Sequence, residues 1–313
     1  MSPLPPNWVD GFANYDVILK PDRDEAQWWA GAPSVVQAPD GRFYLAARMR
    51  EAESPRGFRG YEIRLLTSKD GRTFEPVASI HRDEVQLKGF ERPALVVDPA
   101  TGKFRLYVCG PAPARDTHNR WGIFAFDPVE DLRHIDRASM RLVLPPVIPD
   151  PWDDVGRGYK DPFIFHDDRC WHMFVIGYDF IERTYHFTSA NGDDWQADDN
   201  NPVLDAGGWH NFFTRPACVL PMPVGFLFVY EGSDAGWPDP GYNIATGLAY
   251  TLDLSTITDL TSHAPVLKST TPGSYHTWRY SCWLQAGDEL HVFAEVTCAN
   301  DTNEIRRFVL PAG

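Results

Sequence analysis

Apolar and polar residues follow one another along the chain in a unit that recurs five times. Each unit is an apolar strand, a polar turn and a second apolar strand, and the first strands open with GAPSVV, ERPALV, KDPFIF, TRPACV and WRYSCW. Residues at the same point of each unit are 60, 69, 54 and 64 positions apart: Ala32, Arg92, Asp161, Arg215 and Arg279. Third strands follow, and turns such as SKDGRTF mark tight hairpins, because Asp-Gly tolerates positive φ angles.

This pattern predicts an all-β chain folded as a five-bladed β-propeller, with one four-stranded antiparallel blade per unit around a central shaft. A single sheet of this kind cannot cover both of its faces, whereas radial stacking covers them. The fifth unit ends one strand short, so we predict that residues 15–20, YDVILK, supply its outer strand and make residues 1–313 a single domain. A β-sandwich is the alternative, but it does not explain a five-fold period.

The composition of the chain limits the classes of molecule that the protein is expected to bind. A formal net charge of −14 argues against a broad basic surface for nucleic acid or anionic membranes, and no apolar run approaches the 18 residues of a membrane span. The N-terminal MSPLPPNWVDGF lacks the basic and apolar regions of a signal peptide, and the five cysteines lack metal-type spacing. We therefore expect reduced thiols in a cytoplasmic protein with no metal and no cofactor, a secreted mature form being the alternative.

The strand openings, above all Lys160-Asp161-Pro162, and the Ser-Lys-Asp-Gly-x-x-Phe hairpin at 68–74 resemble those of the five-bladed β-propeller glycosidases. This superfamily includes the arabinanase and β-xylosidase group of family 43, with invertases, levansucrases and mannoside phosphorylases as relatives. The resemblance covers nearly the whole chain. It implies that the first strand of each blade lines the shaft, so that residues beside the prolines meet in one funnel.

The resemblance also implies three working carboxylates: an Asp base on blade one, an orienting Asp on blade three and a Glu acid on blade four. Asp161 matches the orienting position, but blade one offers Ala32 and blade four offers Arg215 without a Glu. Glycoside cleavage needs one protonated and one ionised carboxyl. We therefore select Asp161, Glu91 (in a Glu-x-Pro opening on blade two) and Glu231 (at the end of a second strand) as candidate catalytic residues, with strand turns and buried ion pairs as their structural alternatives.

Cations recur beside these carboxylates. The planar guanidinium group suits carboxylate, sulfate or phosphate, so an anionic substrate is one candidate partner, and pairing with the protein's own carboxylates is the alternative. Aromatic residues ahead of the first strands could stack on sugar rings at the rim, or pack between blades. The candidate substrate-binding residues are Arg92, Arg215, Arg279, Arg48, Lys160, Trp29, Trp209, His210 and Trp278.

Three functions remain open at this point. The first is a glycoside hydrolase that uses paired carboxylates on a small-molecule or oligosaccharide substrate. The second is a glycoside phosphorylase, in which the arginines hold inorganic phosphate and one catalytic carboxyl is enough. The third is a carbohydrate-binding propeller without catalysis, which the absence of an Asp on blade one favours.

Overall fold

The computed structural model of the chain describes residues 4, 8–54, 59–111, 120–147, 156–269, 271 and 275–311. In these residues the strands form five successive antiparallel sheets of four main strands each, and single parallel pairs (Trp29 with Asn303, Glu182 with Phe213) also join the fifth sheet to the first and the third to the fourth. The first strands of the sheets contact one another in a closed ring, each beside the first strand of the next sheet. This arrangement confirms the predicted five-bladed β-propeller.

The strand bounds follow the predicted units. The N-terminal strand β1 is Asp16–Leu19. Blade one contains β2 (Trp29–Gln37), β3 (Phe43–Arg50), β4 (Gly60–Ser68) and β5 (Glu75–His81). Blade two contains β6 (Ala94–Val97), β7 (Phe104–Pro111), β8 (Trp121–Ala125) and β9 (Arg141–Leu144). Blade three contains β10 (Gly158–His166), β11 (Trp171–Tyr178), β12 (Glu182–Ser189) and β13 (Gln196–Ala197).

Blade four contains β14 (Phe213–Pro221), β15 (Phe226–Ser233), β16 (Ala245–Thr251) and β17 (Ile257–Asp259), and the short β18 (Leu267–Lys268) also pairs with β16. Blade five contains β19 (Trp278–Ala286), β20 (Glu289–Thr297) and β21 (Asn303–Pro311). Strand β1 pairs antiparallel with β21 and is the outer strand of this blade. Short 3-10 helices cover Trp8–Ala13, Leu132–His134 and Arg137–Ser139. No helix in the described ranges has the length and apolar character needed to cross a membrane.

The buried apolar side chains form five clusters, and each cluster lies between two neighbouring blades. Ile63 and Leu65 of blade one, for example, pack with Leu106 and Phe124 of blade two. The other clusters join blades two and three, three and four, four and five, and five and one. Because every blade buries both faces against its neighbours, the hydrophobic effect stabilises the ring rather than any single sheet.

A one-residue bulge interrupts the first strand in blades one, three, four and five. The bulge gives positive φ angles of 57° at Asp161 and 54° at Tyr280, so these two residues are equivalent. Arg279 and Arg215, by contrast, pair with β20 and β15 at the position of Lys160, one residue earlier. The predicted equivalence of Arg215 and Arg279 with Asp161 is therefore wrong by one residue.

Candidate active site

Two successive positions at the start of the first strands place side chains near one end of the shaft. In blade two the backbone N–H of Glu91 donates to Cys109 O, which aligns Glu91 with Lys160. The outer position is therefore occupied by Gly31, Glu91, Lys160, Arg215 and Arg279. The next position is occupied by Ala32, Arg92, Asp161, Pro216 and Tyr280. Four blades thus bring a charged side chain to the outer position: one is the carboxylate of Glu91, and the other three are cations.

The bulge turns a backbone N–H towards the preceding blade. The N–H of Ala32 donates to Oε2 of Glu295 at 3.0 Å, and the N–H of Tyr280 donates to Oε2 of Glu231 at 2.6 Å. In blade three the N–H of Asp161 lies 3.3 Å from Cys109 Sγ. A residue of the second strand therefore joins its blade to the next one at these three interfaces.

This arrangement assigns Glu231 a structural position. The carboxylate is fully buried, and its second oxygen accepts the N–H of Ser281 at 2.7 Å. Burial raises the pKa of Glu231, while the N–H groups of Ser281 and Tyr280 and the charge of Arg92 oppose that rise. Both oxygens accept N–H groups of blade five, so Glu231 joins blades four and five, and the catalytic role predicted for it stays a prediction.

Asp161 lies deep at the shaft and is 1% exposed. Its Oδ1 accepts the backbone N–H of Arg92 at 2.9 Å, and its Oδ2 accepts the Tyr280 hydroxyl at 3.2 Å. Burial raises the pKa of Asp161, and the negative charge of Glu91 raises it further against the opposing charge of Lys160. The carboxyl is therefore held by blades two and five and is poised to carry a proton at higher pH than an ordinary Asp.

Glu91 lies nearby on blade two, and its side chain is 25% exposed. It forms an ion pair with Arg48, whose side chain is fully buried. Burial alone would raise the pKa of Glu91, but Arg48, Lys160 and other cations of the shaft lower it overall. Glu91 and Asp161 therefore sit on adjacent blades with pKa values shifted in opposite directions.

A third carboxylate completes the charged end of the shaft. Glu182, the first residue of β12, receives Lys160 Nζ at 2.6 Å and Arg215 Nε at 2.5 Å. Burial would raise its pKa, but Arg215 and Lys160 lower it to about 2. The sequence analysis did not select Glu182, because no motif surrounds it. The one sequence feature that could have indicated it is its place at the start of a third strand, directly after the turn Asp179-Phe180-Ile181.

The remaining arginines are engaged within the protein. Arg279 donates two hydrogen bonds to Oε1 of Glu295, at 3.0 and 2.7 Å, and Arg48 donates to Oε2 of the same carboxylate at 3.0 Å. The guanidinium of Arg92 donates to the carbonyls of Pro216 and Ala217 across the shaft. Arg279 and Arg48 thus match the structural alternative, in which arginines pair with the protein's own carboxylates, whereas Arg92 is held by backbone carbonyls.

The predicted sugar platforms are buried. Trp29 is 1% exposed, and the Arg50 guanidinium lies 3.9 Å from its ring centroid. Trp209 stacks on Tyr230 and Trp237, and Trp278 packs on Phe12 and Phe308. His210 is also buried, with Nδ1 2.7 Å from Thr214 Oγ1 and Nε2 3.1 Å from Asp259. Packing within and between blades, the alternative reading, accounts for all four residues: Trp29, Trp209, His210 and Trp278.

Tyr280 is a further residue that the sequence analysis missed. It is equivalent to Asp161, is 4% exposed, and directs its hydroxyl to that carboxyl. Blade five has no proline beside the bulge, so counting from the prolines of the other blades selected Arg279 instead. The positive φ of a Tyr is uncommon and becomes visible only in the backbone.

Comparison with known proteins gives a match at the level of the fold. No protein-family model matches the chain, and no curated protein sequence does. Among solved structures, one described as a glycoside hydrolase aligns with a TM-score of 0.69 at 12% identity, covering 95% of this chain and 90% of that chain. A Penicillium chrysogenum α-L-arabinanase complexed with arabinobiose aligns with a TM-score of 0.62 at 14% identity, covering 95% of this chain and 97% of that one.

A β-1,2-mannobiose phosphorylase from Listeria innocua aligns with a TM-score of 0.64 at 14% identity, covering 94% of each chain. The chain therefore shares the five-bladed propeller fold of these enzymes over almost its full length, which confirms the resemblance seen in the strand openings. At these identities the likeness concerns the fold, so the activity has to be argued from the residues at the shaft.

Proposed function

We propose that the protein cleaves a glycosidic bond at the charged end of its shaft. The observation that carries this proposal is the pair formed by Glu91 and Asp161. They lie on adjacent blades, and their pKa values are moved apart, that of Glu91 downwards and that of Asp161 upwards. Two carboxyls with divergent pKa values are what acid–base cleavage of a glycoside requires.

The opposite pKa shifts of Glu91 and Asp161 suggest a different role for each carboxyl. Glu91 is ionised and reaches solvent, so it is the group that activates a water molecule or attacks the sugar. Asp161 is the partner with the raised pKa at the bottom of the site, where the hydroxyl of Tyr280 and the N–H of Arg92 fix its orientation, and it is the group that would deliver the proton. Preorganised hydrogen bonds of this kind place the acid before substrate binds.

Phosphorolysis is the second candidate, and one observation favours it. Lys160 and Arg215 have more exposed side chains, at 20% and 10%, than Arg279 at 5% and Arg48 at 0%, and both form ion pairs with Glu182. A phosphate bound beside them would bring negative charge towards Glu91 and raise its pKa. Glu91 would then serve as the single acid, and phosphate would be the nucleophile.

We further propose that the substrate is anionic and that the protein is located in the cytoplasm. An acidic sugar would have to compete with Glu182 for Lys160 and Arg215, because Arg48, Arg92 and Arg279 are already paired within the shaft. The location is supported by the five cysteines, which are all free thiols, as expected in a reducing compartment.

A screen of nitrophenyl glycosides and oligosaccharides, with and without inorganic phosphate, tests the proposal. Free sugar released at equal rates in both conditions indicates hydrolysis, and a sugar phosphate formed only with phosphate indicates phosphorolysis. Sugar binding detected by calorimetry without turnover of any bound compound would show a binding propeller and contradict the proposal.

A further inference from the structure

Three side chains of ligand type converge at the hairpin between β10 and β11, at the end of β10 opposite to Asp161. Asp167, Cys170 and His172 place one oxygen, one sulfur and one nitrogen atom within 4.8 Å of one another. Nε2 of His172 lies 3.4 Å from Cys170 Sγ and 3.3 Å from Asp167 Oδ1. Six residues of strand separate this cluster from Asp161, roughly 20 Å, so it does not belong to the candidate active site.

A relay of hydrogen bonds fixes the tautomer of His172. Nδ1 of His186 lies 2.8 Å from Asp198 Oδ2, and a carboxylate only accepts, so this nitrogen carries the proton of a neutral His186. Nε2 of His186 is then an acceptor, and it lies 2.9 Å from Nδ1 of His172, which donates to it. Nε2 of His172 is consequently left with a bare lone pair.

That lone pair faces the Cys170 thiol at 3.4 Å, whose S–H proton a bound cation would replace, and the Asp167 carboxylate oxygen at 3.3 Å. A bare imidazole nitrogen 3.3 Å from a carboxylate oxygen is repulsive unless a cation or a proton lies between them. A tetrahedral Zn²⁺ with Zn–N and Zn–O of about 2.0–2.1 Å and Zn–S of about 2.3 Å holds its ligand atoms roughly 3.3–3.7 Å apart. The observed separations from His172 Nε2 to its two neighbours are close to these values.

The surroundings supply the supporting contacts that metal sites use. Arg169 donates to Asp167 Oδ2 at 2.7 Å, and Oδ1, which accepts the backbone N–H groups of Arg169 and Cys170 at 3.1 Å each, lies on the side of His172. A carboxylate–histidine relay behind a ligating imidazole orients the ring and raises its basicity. Blade five offers an internal comparison: His291 occupies the equivalent strand position, and its Nε2 lies 3.0 Å from the exposed carboxylate of Glu289. Among the described residues, no three-ligand group forms around it.

We propose that Asp167, Cys170 and His172 form a structural site for a borderline-soft divalent cation, with Zn²⁺ as the best fit and solvent as the fourth ligand. The donor set of one thiolate, one imidazole and one carboxylate selects Zn²⁺ over Mg²⁺ or Ca²⁺, which prefer oxygen ligands. The site would fix the β10–β11 hairpin at the end of the propeller away from the reaction.

The test uses the full chain, freed of metal by a chelator and titrated with Zn²⁺ in a calorimeter, and with Co²⁺ in a spectrophotometer. We expect one Zn²⁺ per chain, a higher melting temperature, and a thiolate-to-cobalt charge-transfer band. Cys170→Ser should abolish the band and the tight binding, whereas Cys298→Ser, at another half-buried thiol, should change neither. Asp198→Asn should weaken Zn²⁺ binding by about 10–100-fold through the relay.

Two results would overturn the proposal. The first is the absence of stoichiometric Zn²⁺ binding to the wild-type chain, together with an NMR signature of a doubly protonated His172, which would show that a proton occupies the gap. The second is Zn²⁺ binding that is equally tight in Cys170→Ser. Neither result bears on cleavage at Glu91, which is measured separately.

Discussion

One buried carboxylate, Glu295, links blade five to blade one through hydrogen bonds. Glu295 is fully buried, and its Oε1 accepts three hydrogen bonds, two from Arg279 and one from Asn303. Its Oε2 accepts the N–H of Ala32 and one N–H of Arg48. Replacing Glu295 by Gln keeps the shape of the side chain, but one of the two accepting oxygens becomes an NH₂ group that faces N–H donors.

The magnitude of the loss follows from these contacts. Whichever way the amide of Glu295→Gln turns, two or three buried N–H groups lose their acceptor. Arg279 loses its counter-charge, and Arg48 keeps only that of Glu91. Breaking a buried pair from one side costs about 3–5 kcal/mol. With an unfolding entropy of about 2.1 cal/mol/K per residue, the chain of 313 residues should lose about 5–8 °C in melting temperature.

Differential scanning calorimetry of Glu295→Gln beside Glu289→Gln measures the effect. Glu289 lies on the same strand, but its side chain is 56% exposed and pairs only with His291, so its substitution should change stability by less than about 0.5 kcal/mol. If the two variants melt within about 1 °C of each other, Glu295 does not hold the ring closed, and the role assigned to these buried carboxylates is wrong.

Three further predictions concern the charged end of the shaft. Asp161→Asn should fold, because Asn tolerates the positive φ of this position, but its turnover of the identified substrate should fall by at least about 100-fold. A fall within about threefold, which is under 1 kcal/mol of activation barrier, would show that Asp161 is only a turn residue. The pKa of Glu182 is about 2 in the folded protein, compared with an ordinary value of 4.5. Its ion pairs should therefore add about 3 kcal/mol to the free energy of unfolding above pH 4.5, and this contribution should disappear as the pH falls towards 2. Urea unfolding of Glu182→Gln and wild type should therefore differ at pH 7 and converge at low pH, and an equal difference at both would refute the pairing. Phosphate, sulfate or glucuronate at 100 times its dissociation constant should stabilise the wild type by about 2.7 kcal/mol and Arg215→Gln less; no thermal shift with any of them would indicate a neutral substrate.

Much of the fold could be predicted from the sequence because alternation of apolar residues is a local signal that repeats. The five units, their order and the strand near 15–20 all rest on that signal, and each corresponds to strands of the structure. The bulge in the first strands could not be predicted from this pattern. It shifts Arg215 and Arg279 by one position relative to Asp161, and in blade four Pro216 itself pairs with Tyr230.

The site was less predictable because burial and pairing depend on side-chain direction at the bulge. The sequence indicated that Trp29 and Trp278 lie near the shaft, but it did not show that both rings are buried. Glu231 could be recognised as a carboxylate at the end of a strand, yet its N–H donors come from the next blade. Glu91 was selected from its Glu-x-Pro opening, and its exposure and its pairing with Arg48 are features of the assembled ring.

The most direct test of the proposed function is the kcat/KM of Glu91→Gln on the glycoside identified in the screen. Glu62→Gln is the matched control, since Glu62 is also a partly exposed carboxylate paired with an arginine, Arg64 at 2.7 Å, in blade one. We predict that Glu91→Gln lowers kcat/KM by at least about 1000-fold, close to 4 kcal/mol of transition-state stabilisation, while Glu62→Gln stays within about threefold of wild type. A Glu91→Gln enzyme that folds and retains activity within threefold of wild type would contradict the account.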